Sequence, residues 1–215
     1  YGTELADELP EVDQVVGFGV PVVMGKTRSN GAPPPVMDLL NLPRPASTRP
    51  WAYVKVAEGC DRACGYCAIP SFRGPQRSRS PESVLTEVDG LGVREVVLVA
   101  QDLAAYGRDQ GVGEKAIVAL LGAVVDRVDW VRLLYLYPSE VTDPLVDAVC
   151  ASGVPYFDLS LQHVSRPLLR RMRRWGDGDR FSALVERIRR REPDATFRSN
   201  FIVGYPGETE EDHDE

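Results

Sequence analysis

The sequence predicts an α/β fold organised around a parallel sheet. Three observations carry that prediction. Five short apolar runs between Trp51 and Gly204 read as strands. Stretches with helical periodicity separate them, the alternation that builds repeated βα units and a parallel sheet. The loop after the first run carries three cysteines, at the strand end where parallel α/β folds place their ligands.

The first strand is "WAYVKVAE", beginning at Trp51. Ser80 caps the next helix, with Pro81 at its first position, and the helix runs through "PESVLTEVDGLG". "REVVLVAQ" is a buried strand, followed by a helix over Glu114–Arg127. "VRLLYLY" is the third strand, and "DPLVDAVCASG" is a helix ending at Gly153. "YFDLSLQ" is the fourth strand, followed by helices over Pro167–Arg174 and Asp179–Arg191. "ATFRSNFIVG" is the fifth strand, and Thr209 then caps a helix with acids in its first turn. Upstream, a short helix is expected around Gly2–Glu8 and a strand in "QVVGFGV". Residues 26–50 are proline-rich, lack periodicity and read as a linker lying extended on a surface. No solenoid-type repeat is present.

Composition limits the function classes. Hydrophobic residues make up 43% of the chain and charged residues 27%, the mix of a soluble globular protein. No window approaches the roughly 20 apolar residues of a membrane span. The acidic, polar start "YGTELADELPEVDQ" is not a signal peptide, and without an initiator Met the chain is expected to be a piece of a longer one. A net charge of −7 opposes duplex binding through a broad basic surface. The two local basic stretches, "RPLLRRMRRWG" and "RIRRREP", read as solvated helix faces.

Three of the four cysteines, Cys60, Cys64 and Cys67, share one short loop. A structural zinc site wants four protein ligands, and neither His163 nor His213 is nearby in the chain. A disulfide would leave an odd thiol in a chain with no sign of secretion. The third reading is an iron–sulfur cubane held at three corners, with the fourth iron open to another ligand. The spacing C-x-x-x-C-x-x-C on a short loop at a strand end suits it. Cys150 lies on the apolar helix face "LVDAVCA" and reads as a small core residue.

Polar residues at other strand ends are candidate site residues. Gln101 and Asp102 follow an apolar strand and face the same mouth; they are either a turn-and-cap pair or contacts to a ligand or substrate. Gln162 and His163 close the fourth strand on the same side. Arg198, inside the fifth strand, is charged where an apolar residue is expected, so it meets either a ligand or a neighbouring acid.

C-x-x-x-C-x-aromatic-C after the first strand resembles the radical S-adenosylmethionine superfamily. The resemblance implies a partial (β/α)6 barrel, of which this chain supplies five strands, so that the sixth is expected beyond Glu215. It implies a 4Fe–4S cluster on Cys60, Cys64 and Cys67, its open iron chelated by S-adenosylmethionine, and Tyr66 near the adenine. "NFIVGYPGE" is similar to the superfamily's adenine-contacting G-x-I-x-G-x-x-E at Ile202 and Gly204. It departs in having Asn200 in place of the first Gly and Glu208 one residue late. Arg198, Gln101, Asp102 and Gln162 complete the set expected around the cofactor, with His163 on the substrate side.

"YVKVAEGCDRACGYCAIPSFRGPQRSRSPESVLTEV" is similar to the methylthiotransferases, which insert a methylthio group at an unactivated carbon. "VAQDLAAYG", "LSLQHVS" and "YLYPSEVTDPLVDAV" resemble the branch that modifies an aspartate β-carbon of a small-subunit ribosomal protein (RimO-type), rather than the branch that modifies isopentenyl-adenosine in tRNA. The resemblance implies a radical that takes hydrogen from the aspartate, and a methylsulfide carried on a second 4Fe–4S cluster in an upstream domain. Residues 1–25 are then the end of that domain, 26–50 the linker and 51–215 an incomplete radical core, so the chain alone is expected to make the radical at best. The family implies the ribosomal protein and an electron donor such as a flavodoxin or ferredoxin as partners, a cytoplasmic setting and no membrane. A non-catalytic iron–sulfur or zinc module on an α/β scaffold is the reading from another class.

Overall fold

The computed structural model describes residues 22–23, 36–37, 40–41, 47–113 and 115–215. The helix expected near Gly2–Glu8 and the strand in "QVVGFGV" lie outside the described residues. Strand β1 (Val22–Val23) pairs antiparallel with β2 (Val36–Met37). Part of the stretch read as a surface linker is therefore in a ladder, and Leu40 within it is buried.

The main sheet contains β3 (Trp51–Lys55), β6 (Glu95–Val99), β7 (Trp130–Leu136), β8 (Tyr156–Gln162) and β9 (Thr196–Phe201), in that spatial order. All four pairings are parallel. The sheet is open, with β3 and β9 at its edges, as expected of a partial barrel. Between β3 and β6, a two-stranded ladder joins β4 (Ala57–Glu58) to β5 (Arg77–Ser78), with the short helix α1 (Ile69–Arg73) between them. The run "WAYVKVAE" is thus two strands joined at Val56, whose N–H still donates to Val99 O of β6 while its carbonyl accepts from Arg79 N–H, just past β5.

The crossovers are α2 (Pro81–Leu91), α3 (Lys115–Val125), α4 (Asp143–Ala151), α5 (Arg166–Arg171) and α6 (Gly178–Arg191). The acidic helix α7 (Glu210–Asp214) follows β9, closed by a reciprocal Thr209–Asp212 capping box. Ser80 caps α2 as the sequence predicts, accepting from Ser83 N–H. Helices cover one sheet face. Val54, Leu98, Leu133 and Phe157 on the strands pack with Val84, Ile117, Val146 and Leu184 on the helices in one continuous core. Cys150 packs against that core, in keeping with its reading as a core residue. Because strand side chains alternate, the residues between these point to the other face. On β8 these are Ser160 and buried Asp158, with Gln162 past the register shift, so this strand turns polar side chains away from the helix-side core. Among the described residues no helix is long and apolar enough to cross a membrane.

Buried Arg79 fastens the first crossover. It pairs with Glu87 and donates to Lys55 O at 2.8 Å, and its own carbonyl accepts from buried Tyr106 Oη at 2.8 Å. Gly107 has φ +80, and a Cβ there would lie 2.3 Å from Ala116 Cβ. In "AQDLAAYG", Tyr106 and Gly107 therefore anchor the loop, leaving Gln101 and Asp102 for the mouth.

Candidate functional site

The cysteine loop is fixed at its ends and near its middle. Gly59, with φ +83, brings the chain against Gly74 and Pro75, where any Cβ would sit 2.2 Å from Pro75 O. Cys60 N–H donates to Gly74 O at 3.2 Å, and Cys67 N–H donates to Cys64 O at 3.1 Å. Gly65 N–H donates to Met172 O at 2.8 Å, docking the loop onto the end of α5. This packing explains why glycine and small residues punctuate the cysteines.

All three thiols line one cavity of about 220 Å³ at the C-terminal end of the sheet. Tyr66 and Ile69 continue the wall from the same loop. Gln101 and Asp102 come from the end of β6, Tyr135 and Tyr137 from β7, Ser160 and Gln162 from β8, and Asn200 from β9. Tyr135 (φ 63) and Gln162 (φ 72) have left-handed backbone where the pairings of β7 and β8 shift register, and the shifts redirect the strand ends around the cavity. Among the described residues no three His, Cys, Asp or Glu side chains gather closely enough for a single metal ion. A cubane asks for a different arrangement, one thiolate at each of three separate irons. Gln101 Oε1 and Asp102 Oδ1 are buried acceptors without hydrogen-bond partners, which suits a ligand bearing donors.

Charge is arranged around these groups. Glu58 is buried beneath the loop, paired with Lys55 and Arg73 at 2.5 Å each, and accepts from Gln101 Nε2 at 3.2 Å. Burial pushes its carboxyl up, but the two cations outweigh it and hold the pKa below the ordinary value. Arg62 donates to Asp102 Oδ2 at 2.7 Å and Glu140 Oε1 at 2.9 Å, and its guanidinium lies 3.9 Å from the Tyr137 ring centroid. Burial raises the Cys60 thiol pKa, although its sulfur accepts from Arg62 N–H at 3.4 Å. Burial pushes the Tyr66 phenol up to about 12, against the pull of Arg174.

Glu140 gives a pH test of this wall. Burial raises its pKa, but Arg62 and Arg108 overcome that and hold it below its ordinary value of 4.5. A depressed carboxylate contributes stability above its unfolded pKa and loses it as pH falls through the folded one. Thermal melts of wild type and Glu140→Gln should therefore differ most above pH 4.5 and converge at lower pH. A gap that stays constant into acid would show that Glu140 does not carry this effect.

The sequence-predicted residues divide in place. Cys60, Cys64, Cys67, Tyr66, Gln101, Asp102 and Gln162 meet at the cavity. Arg198 does not line it: its guanidinium pairs with buried Asp158 at 2.6 Å, the neighbouring-acid alternative. His163 turns away from the mouth because Nδ1 accepts from Ser165 N–H at 3.0 Å and Nε2 faces Glu208 at 3.6 Å. Ile202 packs against Leu168, Leu169, Met172 and Phe181, and its N–H donates to Gln162 O at 2.8 Å, bracing the wall from outside. Gly204 (φ +75) turns the chain beyond it and is absent from the lining. Asn200, noted only as a departure from a motif, lines the cavity. Arg174, read as part of a solvated basic face, lines it too. Tyr135, Tyr137, Ser160 and Asn200 carry one sequence signal, polar or aromatic residues at the closing positions of predicted strands.

Residues 54–215 match the radical SAM superfamily. The chain belongs to that superfamily. Its radical SAM region begins within β3 and takes in every cavity residue. Among curated proteins it is 44% identical to the ribosomal protein uS12 methylthiotransferase RimO of Sorangium cellulosum over 232 residues, covering 99% of this chain and 48% of that protein. It is also 44% identical to the protein of the same name from Moorella thermoacetica, covering 99% of this chain and 52% of that protein. The chain thus spans about half the length of these relatives. Among solved structures, the radical S-adenosylmethionine methyltransferase TsrM from Kitasatospora setae, with cobalamin and a [4Fe-4S] cluster bound, superposes with a TM-score of 0.59. That likeness is at 18% identity and covers 75% of this chain and 32% of that one. It shows the radical SAM fold.

Proposed function

We propose that this chain is the cluster- and S-adenosylmethionine-binding core of a methylthiotransferase that modifies an aspartate β-carbon in ribosomal protein uS12. The observation that carries the reading is the shared cavity: three cysteines from one braced loop open onto the same space as two partnerless acceptors. The substrate rests on the relatives, which bear the uS12 methylthiotransferase name across 99% of this chain. In this reading residues 51–215 are the core, and 1–25 and 26–50 are an upstream remnant and a linker. The site of action is the cytoplasm, where ribosomes are, with a small one-electron carrier as reductant.

Cys60, Cys64 and Cys67 supply three thiolates to a 4Fe–4S cluster and leave one iron for S-adenosylmethionine. When bound, these groups would supply radical chemistry able to act on an unactivated carbon. The chain's own residues bind and orient. Gln101 Oε1 and Asp102 Oδ1 accept from the ligand's ammonium group, satisfying acceptors otherwise left bare. Tyr66 and Gln162, on the cavity wall, would flank the nucleoside, and Tyr135 and Tyr137 would keep water from the reacting carbon. Arg62, neutralised by Asp102 and Glu140, holds Asp102 in place.

Disrupting the parent gene in its host tests the substrate. Mass spectrometry should find uS12 without its methylthio group and the tRNA modification intact. Loss from tRNA with uS12 unaltered would move the protein to the tRNA branch.

A further inference from the structure

Arg174 is placed by an unusual helix ending. Helix α5 stops at Arg171, and Arg173 takes left-handed backbone at φ 55. Arg173 N–H donates to Arg170 O at 3.0 Å and Arg174 N–H to Leu169 O at 2.8 Å, the paired bonds of a Schellman motif. That position normally takes glycine, so an arginine there adopts a disfavoured conformation. The turn aims the next side chain inward. The Arg174 guanidinium lies 4.3 Å from the Tyr137 ring centroid, bonds to Ser160 O through Nη2, and reaches Cys64 Sγ through Nη1 at 3.5 Å. Its Nε is buried without a partner. Trp175 N–H donates to Tyr137 Oη at 3.1 Å, so the platform under the guanidinium is fixed as well.

Two arginines flank Tyr137, and their surroundings differ. Arg62 is neutralised by Asp102 and Glu140. Arg174 has no carboxylate within ion-pair distance among the described residues; its contacts are a carbonyl, a ring and a cysteine sulfur. An uncompensated cation beside a thiolate favours the more negatively charged state of whatever that thiolate holds. Hydrogen bonds to sulfur and local charge both set the potential of an iron–sulfur centre.

We propose that Arg174 is a positioning residue for the electronics of the centre: by donating to Cys64 Sγ and bringing unpaired positive charge there, it raises the reduction potential of the bound cluster. This rests on the reading that Cys60, Cys64 and Cys67 hold that cluster.

The test is a redox titration of the reconstituted protein, followed by the spin-resonance signal of the reduced cluster, with iron and sulfide measured on the same samples. Arg174→Gln keeps a donor and removes the charge. It should retain iron while the reduced-to-oxidised ratio at fixed poise falls about tenfold, roughly 59 mV for a one-electron couple. Arg174→Lys keeps a point charge without the fork, and should shift the same way by less. An unchanged potential in an iron-replete Gln variant overturns the proposal. If that potential holds while S-adenosylmethionine binding weakens, Arg174 serves the ligand instead. Should the Gln variant not fold, the Lys variant decides, and a potential equal to wild type overturns the idea. Wild type that takes up no iron and sulfide defeats the underlying reading, a result separate from all of these.

Discussion

Replacing Cys64 with alanine is expected to leave the anaerobically reconstituted protein without its cluster. Three thiolates each hold one corner of a cubane, and two do not retain it against loss of iron. Cys150→Ala is the matched control. That thiol packs on the hydrophobic core behind the sheet, away from the cavity that the other three cysteines line. Iron and acid-labile sulfide should be near zero in the first variant and at wild-type level in the second. Equal iron loss in both would refute the assignment of the cysteine loop.

Gly59→Val is expected to unseat the same loop without touching a ligand. A β-branched residue at φ +83 costs about 1–2 kcal/mol in backbone energy. Its Cβ would also have to occupy space 2.2 Å from the Pro75 carbonyl and 2.7 Å from that of Gly74. Both obstacles are backbone, so relief requires the loop ends to part, at about 1–3 kcal/mol more. Gly92 is a useful comparison, since it has φ +62 with open space around it. Gly92→Ala should cost only the conformational part. Denaturant melts of the two variants should therefore differ by more than 1 kcal/mol, with iron uptake lost only at Gly59. Matching losses of stability would mean that the Gly59–Pro75 approach does not constrain the loop.

The five strands were legible because each is a short run rich in apolar, aromatic or β-branched residues, and their parallel order follows from the intervening helices. Ladder β4–β5 was not, since two-residue pairings such as Glu58 with Arg77 depend on the loop's tertiary closure. The helix expected to reach Arg174 stops at Arg171 for a similar reason. "RRMRRWG" is a good helical sequence, and what ends it is the docking of Met172 O on Gly65. The same local bias made Arg174 look like solvent-facing charge. Gln101, Asp102 and Gln162 were found because strand polarity alone sends β-strand ends to one mouth. His163 obeys that geometry too but is drawn to Glu208, while Arg198 lies mid-strand opposite Asp158, and such pairings join residues far apart in the chain.

The left-handed backbone at Tyr135 and Gln162 bears on how the cavity receives a ligand. Such conformations cost of order 1–3 kcal/mol each and persist only where surrounding packing over-determines them. Here the neighbouring Leu133, Leu136 and Leu159 are buried in the core, so the stored strain is balanced by contacts far more extensive than the wall itself. A wall held this way has no shallow path to another shape. A ligand entering it meets a preorganised surface, and little of its binding energy goes to freezing the chain.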